Sequence, residues 1–106
     1  IAPILNAMLE EEFTTESVLL AKRILDGVGA AVGDASPNRG LRAEEWFVVR
    51  NAKMPSVLVE VGFLTNTQDA ALLDDAAYLR SLADGIYTGI VDFVDYFEKR
   101  KGPSSK

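Results

Sequence analysis

The run formed by residues 56–64 constrains the fold more than any other feature of this sequence. It reads Ser-Val-Leu-Val-Glu-Val-Gly-Phe-Leu and is apolar except at Glu60. Side chains alternate between the two faces of a strand, so both faces of this run are apolar. Such a run is typical of a central parallel strand that helices cover on each side. The sequence therefore predicts an α/β protein with a buried strand at 56–64.

A second strand is predicted at residues 46–50, Trp-Phe-Val-Val-Arg, because aromatic and β-branched residues favour strands. Pro55, which lacks a backbone N–H, marks a turn between the two runs. A strand buried on both faces needs neighbours on both edges, and one additional strand hardly makes a stable sheet. We therefore expect a mixed sheet flanked by helices on both faces. This chain would supply only the last two strands and three to four helices, and a preceding segment or another molecule would supply the rest.

Two helices are predicted before the strands. Apolar residues at helical spacing favour a short amphipathic helix over residues 3–12, with Pro3 in its first turn. Thr14 or Thr15 can cap a second helix, because their hydroxyl oxygens accept hydrogen bonds from backbone N–H groups of the first turn. The glycines after Ile24 weaken the end of this second helix.

Two further helices are predicted after the strands. A short helix over roughly 68–73 follows Asn66, which we interpret as its N-terminal cap. Asp74 or Asp75 can cap the last helix, over roughly 76–98. Its apolar stripe is predicted to consist of Leu79, Leu82, Ala83, Ile86, Ile90, Phe93, Val94 and Phe97.

Composition narrows the classes of function. The formal net charge is -5, and the sequence has no long basic run of the kind that binds nucleic acid. No apolar run approaches the roughly 20 residues that span a bilayer. The chain has neither cysteine nor histidine, so the imidazoles of any zinc site would have to come from elsewhere. The basic residues of 99–106 are predicted to form a flexible tail.

Glu60 is the residue on which a chemical role would depend. A carboxylate in an apolar strand loses hydration worth several kcal/mol unless it finds partners. It lies toward the C-terminal end of its predicted strand, where open α/β sheets place their ligands. Gly62 leaves open space on the same face. The pattern alone leaves two interpretations open, a catalytic carboxylate or a structural ion pair with Arg50.

Residues 54–66, Met-Pro-Ser-Val-Leu-Val-Glu-Val-Gly-Phe-Leu-Thr-Asn, resemble the hallmark segment of zinc-dependent N-acetylmuramoyl-L-alanine amidases. The family pattern there is Pro-(Ala/Ser)-Val-Leu-Val-Glu-x-(Gly/Ala)-Phe-(Leu/Ile)-(Ser/Thr)-Asn. The flanks agree with the family at the strand ending in Arg50 and at the short helix ending in Leu-Leu. The closing helix is similar as well, and the resemblance covers roughly residues 16–98.

The resemblance implies a peptidoglycan hydrolase that cleaves the amide between N-acetylmuramic acid and L-alanine of the stem peptide. Its single zinc would be held by two histidines and a glutamate that lie N-terminal to the part of the family that this chain covers, so the chain contributes no metal ligand. Glu60 would be the catalytic acid/base. We expect residues 1–98 to be the C-terminal part of the catalytic domain, inactive alone and extracytoplasmic. The missing N-terminal part of the same domain would be its partner.

Two further site interpretations concern Arg50 and the first residues of the chain. Arg50 would bind a substrate carboxylate in a bidentate contact, or else pair with Glu60 or cap the end of the sheet. Residues 1–13 occupy the place of an inserted helix that covers the zinc site in some members of the family until an activator protein displaces it. The blocking carboxylate would then be Glu10, Glu11 or Glu12, and the alternative is a solvated acidic helix end.

Two rival functions remain open at the level of sequence. The first is a non-catalytic cell-wall binding or activating module with a degenerate amidase fold that has lost its metal. The second is an unrelated α/β domain in which Glu60 only forms an ion pair.

Overall fold

The computed structural model describes the backbone of residues 2–36 and 54–101, and the side chains of residues 15–36 and 54–99. Helix α1 covers Ala2–Val32, and a 3₁₀ turn, Gly33–Ala35, follows it. A short helix α2 covers Thr67–Leu73, and the long helix α3 covers Ala76–Lys101. None of the helices in the described residues is long and apolar enough to cross a membrane.

Helix α1 is continuous, so the predicted division into two helices near Thr14 is wrong. The sequence offers no reason for a break there, because Pro3 lies in the first turn and the next helix-weakening residue is Gly27. A threonine that can cap a helix can also lie inside one. At the other end of the chain, α3 continues to Lys101, into the segment predicted as a tail.

The predicted α/β fold is wrong for the part of the chain that the structure describes, which contains helices and connecting segments but no strand. Residues 56–64 lie outside any helix or strand, and the other predicted strand, 46–50, is outside the described residues. A strand exists only through backbone hydrogen bonds to a neighbouring strand. No described segment offers residues 56–64 such a ladder, so their strand-like composition does not become a strand.

Helices α1 and α3 are in direct backbone contact at three buried glycines, Gly27, Gly85 and Gly89. A Cβ atom added to Gly27 would overlap the carbonyl oxygen of Gly85 and lie 3.0 Å from the Gly89 nitrogen. A Cβ added to Gly85 would lie 2.6 Å from the Cα atom of Val28. Since the distance between packed helices is set by the side chains at their contact, glycine at these positions allows the two backbones to meet.

A small core surrounds this contact. Among the described side chains, its buried apolar members are Ile24 on α1 and Tyr78, Leu82 and Phe93 on α3. The predicted stripe on α3 is confirmed at Leu82 and Phe93 and is wrong at four exposed positions, Leu79, Ala83, Ile90 and Val94. The reason is that Gly85 and Gly89 face α1. The exposed positions therefore lie on a side of α3 that points away from the helix pair.

Aromatic contacts extend the packing toward the C-terminal end of α3. The rings of Phe93 and Phe97 stack with their centroids 5.8 Å apart. The guanidinium carbon of Arg23 on α1 lies 5.1 Å from the centre of the Tyr96 ring. A cation over an aromatic face is attracted by the ring quadrupole, so this pair ties the middle of α1 to the last turns of α3.

Gly27→Ala and Gly29→Ala test the helix contact as a matched pair, two positions apart in one helix. Alanine favours a helix over glycine, and a Cβ at Gly29 meets nothing within 4 Å. We expect Gly29→Ala to raise the free energy of unfolding by about 0.5–1 kcal/mol. Gly27→Ala must force the helices apart and should lower the free energy of unfolding by about 1–3 kcal/mol. Urea unfolding measures both variants, and stabilisation by both would contradict the contact.

Candidate functional site

Glu60 lies in the segment of residues 56–63 that leads into α2, hereafter the Glu60 segment. Its side chain is exposed, so the expected loss of hydration in an apolar strand is not what the structure shows. The apolar side chains beside it are exposed as well, including Leu58 and Phe63. The carboxylate is therefore accessible to water and to a substrate, in apolar surroundings.

Hydrogen bonds hold the Glu60 segment at both ends. At its beginning, the Ser56 N–H donates to Oγ of Ser17 on α1 over 2.8 Å. At its end, the Phe63 N–H donates to Oδ2 of Asp69 over 2.9 Å. The Phe63 carbonyl also accepts a hydrogen bond from the Asn66 N–H over 3.0 Å. Glu60 thus lies between two fixed points, one on α1 and one at the start of α2.

Asn66 begins α2 as its N-terminal cap, and the interpretation of this residue from sequence is confirmed. Its backbone is extended, and its side chain accepts a hydrogen bond from the Asp69 N–H at 2.9 Å. An N-cap side chain of this kind satisfies one of the donors that a helix leaves without a partner in its first turn.

The cap of α3 is Asp75, one of the two candidates named from sequence. Its Oδ1 accepts hydrogen bonds from the N–H groups of Ala77, at 2.9 Å, and of Tyr78, at 3.2 Å. The Asp75 N–H donates to the carbonyl of Leu72 in the last turn of α2 over 3.0 Å. Asp75 therefore joins α2 to α3, and through α3 the Glu60 segment is connected to the helix pair.

Asp69 is the functional candidate that sequence reasoning missed. It is the only charged side chain buried among the described residues, with 3% of its surface exposed. One feature of the sequence pointed to it, since Asp69 follows the capping Asn66 by three residues. It therefore lies in the first turn of α2, where an acidic side chain is favourable. Its bond to the backbone of Phe63 joins the helix to a separate segment, and periodicity and spacing do not reveal such a contact.

The remaining site predictions lie outside the described side chains. Arg50 is outside the described residues. Helix α1 includes Glu10, Glu11 and Glu12, but their side chains are outside the described part of the structure. Their regulatory role, and the part of Arg50 in substrate binding, stay predictions.

The described residues do not provide a zinc site of the usual kind. The chain contains no histidine and no cysteine, and no group of three or more metal-binding side chains occurs among the described residues. Structural and catalytic zinc sites take their ligands mainly from histidine, cysteine and carboxylates. The described part of the chain therefore does not fit a zinc ion.

Comparison with known proteins places the chain in a family. The sequence model of a family described as N-acetylmuramoyl-L-alanine amidase matches residues 5–92. The N-acetylmuramoyl-L-alanine amidase LytC of Bacillus subtilis (strain 168) is 38% identical over 74 residues, which are 70% of this chain and 14% of that protein. The N-acetylmuramoyl-L-alanine amidase AmiA of Escherichia coli (strain K12) is 32% identical over 69 residues, 65% of this chain and 24% of that protein.

An endolysin of Bacillus phage SPP1 is also similar, with 36% identity over 69 residues, 65% of this chain and 26% of that protein. The chain thus spans about a quarter or less of the length of these three relatives. No solved structure matches it. The matched region contains Glu60, Asn66 and Asp69, so the family resemblance noted in the sequence is confirmed over the candidate site.

Asn66→Ala should lower the free energy of unfolding by about 1 kcal/mol, because the Asp69 N–H loses the acceptor that caps α2. Asn66→Asp is the matched control, since it keeps a side-chain oxygen at the same distance from the backbone. Urea unfolding measures the stability of both variants, and hydrogen exchange at the Asp69 amide reports the cap directly. If Asn66→Ala left the stability and the exchange rate unchanged, the capping role would be wrong.

Proposed function

Because the chain belongs to the N-acetylmuramoyl-L-alanine amidase family, we propose that it forms part of a peptidoglycan hydrolase. The bond cleaved is the amide that joins N-acetylmuramic acid to L-alanine of the stem peptide. Glu60 acts as the general acid/base of this reaction. The proposal for Glu60 depends mainly on one observation, the placement of an exposed carboxylate between two hydrogen-bonded anchor points in the family-matched region.

The surroundings of Glu60 support this role over that of an ordinary surface acid. Glu60 is the only acidic residue of 54–66, and the segment on either side of it is apolar. Most of the other exposed acids described lie on helices, such as Asp84 and Asp92 on α3. Anchoring at Ser56 and Phe63 limits the positions that the Glu60 backbone can take. A catalytic carboxylate needs such restriction, because proton transfer requires hydrogen-bond distance to the reacting atoms.

The chemistry assigned to Glu60 is the movement of one proton. As base, its carboxylate takes a proton from the water molecule whose oxygen attacks the carbonyl carbon of the amide. As acid, the same group delivers that proton to the amide nitrogen while the carbon–nitrogen bond breaks. The products are a carboxylate on the lactyl group and a free amine on L-alanine. General acid/base catalysis of this kind contributes roughly 10²–10⁴-fold to a rate.

Zinc, which the family resemblance implies, would be bound by residues outside this chain. The absence of histidine from the sequence supports this arrangement, and for the same reason we expect the chain alone to be inactive. The activity then requires the further part of the domain that carries the ligands. Since the proposed substrate is cell-wall peptidoglycan, the proposed place of action is outside the cytoplasm, in the periplasm or as a secreted protein.

Glu60→Gln in the full-length protein tests the proposed role. Glutamine keeps the size of the side chain but neither accepts nor delivers the proton, so we expect hydrolysis of purified peptidoglycan to fall by roughly 10²–10⁴-fold. The release of soluble stem peptides measures the rate. Zinc content, measured on the same preparations, should stay unchanged because Glu60 is not proposed as a ligand.

Glu98→Gln is the control for this experiment, since it removes an exposed carboxylate near the end of α3, far along the chain from the Glu60 segment. It should keep the activity of the native protein. Full activity of Glu60→Gln would remove the catalytic role. Peptidoglycan binding with no hydrolysis by the native protein would instead favour the alternative, a non-catalytic cell-wall binding or activating module.

A further inference from the structure

Asp69 is unusual among the described residues because its carboxylate has almost no contact with solvent. Removing a carboxylate from water costs several kcal/mol unless hydrogen-bond donors replace the lost hydration. A helix cap needs no such burial, as the exposed Asp75 at the start of α3 shows. The burial of Asp69 therefore points to a task beyond stabilising the first turn of α2.

The structure around Gly62 shows what the Asp69 carboxylate holds. Gly62 has φ +148, a conformation that residues with a side chain rarely adopt. A Cβ atom at this position would lie 3.2 Å from Cβ and 3.3 Å from Cγ of Asp69. The side chain of Asp69 thus occupies the space beside the Gly62 backbone that any larger residue would fill. Gly62 and Asp69 are complementary in shape, and the Phe63 N–H completes the contact by donating to Oδ2.

The peptide groups of Phe63 are fixed on both sides by the start of α2. Its N–H donates to Asp69, and its carbonyl accepts from the Asn66 N–H. Asn66 in turn accepts a hydrogen bond from the Asp69 N–H through its side chain. Three residues therefore form a closed set of hydrogen bonds around the backbone that immediately follows Glu60. Only Val61 and Gly62 lie between Glu60 and this closed set.

We propose that Asp69 is a positioning residue for Glu60, which it holds in place through Gly62 and Phe63. The proposal rests on the function proposed for Glu60. Without the Asp69 carboxylate, the Phe63 N–H loses its acceptor and the open backbone of Gly62 gains freedom to rotate. Glu60 is then displaced from the reacting atoms, and a displacement of about 1 Å at a catalytic group can lower a rate by roughly 10²-fold.

The proposal is tested by the kinetics of Asp69→Ala and Asp69→Asn in the full-length protein, with soluble muropeptide as substrate. We expect Asp69→Ala to lower kcat by roughly 10- to 100-fold, with KM changed by less than about 3-fold, because substrate contacts remain while the acid/base is misplaced. Asp69→Asn keeps a carbonyl oxygen for the Phe63 N–H and should recover most of the loss, to within roughly 5-fold of native kcat. Hydrogen exchange at the Phe63 amide should rise in the alanine variant and less in the asparagine variant.

Asp75→Ala is the matched control, because it removes only the carboxylate that caps α3 and should cost similar stability. The bond that joins α2 to α3 is donated by the Asp75 backbone N–H, which alanine keeps. It should leave kcat within about 2-fold of native and exchange at the Phe63 amide unchanged. Native kcat in Asp69→Ala, or an equal kcat loss in Asp75→Ala, would overturn the positioning role. Where Asp69→Ala does not fold, Asp69→Asn decides: a kcat deficit with unchanged KM supports the proposal, and native kcat overturns it.

The Glu60→Gln variant separates this inference from the function on which it rests. If Glu60→Gln keeps full activity, Glu60 is not the catalytic acid/base. The positioning role of Asp69 then fails as well, because it concerns Glu60. Loss of activity in Glu60→Gln together with native kcat in Asp69→Ala leaves Glu60 catalytic and rejects Asp69 alone.

Discussion

The backbone contact between α1 and α3 is the constraint on which the rest of the structure depends. Gly27 lies against Gly85 and Gly89 so closely that a single added methyl group would overlap main-chain atoms. Such contact fixes both the separation of the helices and their rotation about their own axes. The rotation decides that Leu82 and Phe93 are buried while Ile90 is exposed. Among the described residues only four apolar side chains are buried, so the glycine contact has a large share in fixing how the two helices pack.

The position of Glu60 follows from this helix pair through short connections. Ser17 on α1 holds the beginning of the Glu60 segment. Asp75 ties α2 to the start of α3, and Asp69 on α2 holds the end of the segment. The position of the Glu60 backbone therefore depends on both α1 and α3, although the Glu60 side chain itself is exposed. The family-matched carboxylate is suited to the proposed reaction because its backbone is restrained while its side chain remains accessible.

Local features of the sequence were predictable, and features that depend on distant partners were not. The caps at Asn66 and Asp75 were found because capping needs only an oxygen and a nearby free N–H. The prediction of a strand at 56–64 was wrong because a strand needs a neighbouring strand to pair with, and the composition of one segment does not show whether such a neighbour exists. The burial of Asp69 and the glycine contact between α1 and α3 were not predicted for the same reason, since both depend on residues that are far apart in the sequence or in separate segments. The catalytic role proposed for Glu60 came from the family resemblance, because the residue pattern alone left a structural ion pair equally open.

The most direct test of the proposed activity is the chemical identity of the bond that is cleaved. Purified peptidoglycan treated with the full-length protein should gain new free amino groups on L-alanine, identified by labelling the amines and sequencing the labelled peptides. The number of reducing sugar ends should stay constant, because the glycan chain is not cut. New reducing ends, or new amino groups on residues other than L-alanine, would contradict the amidase assignment.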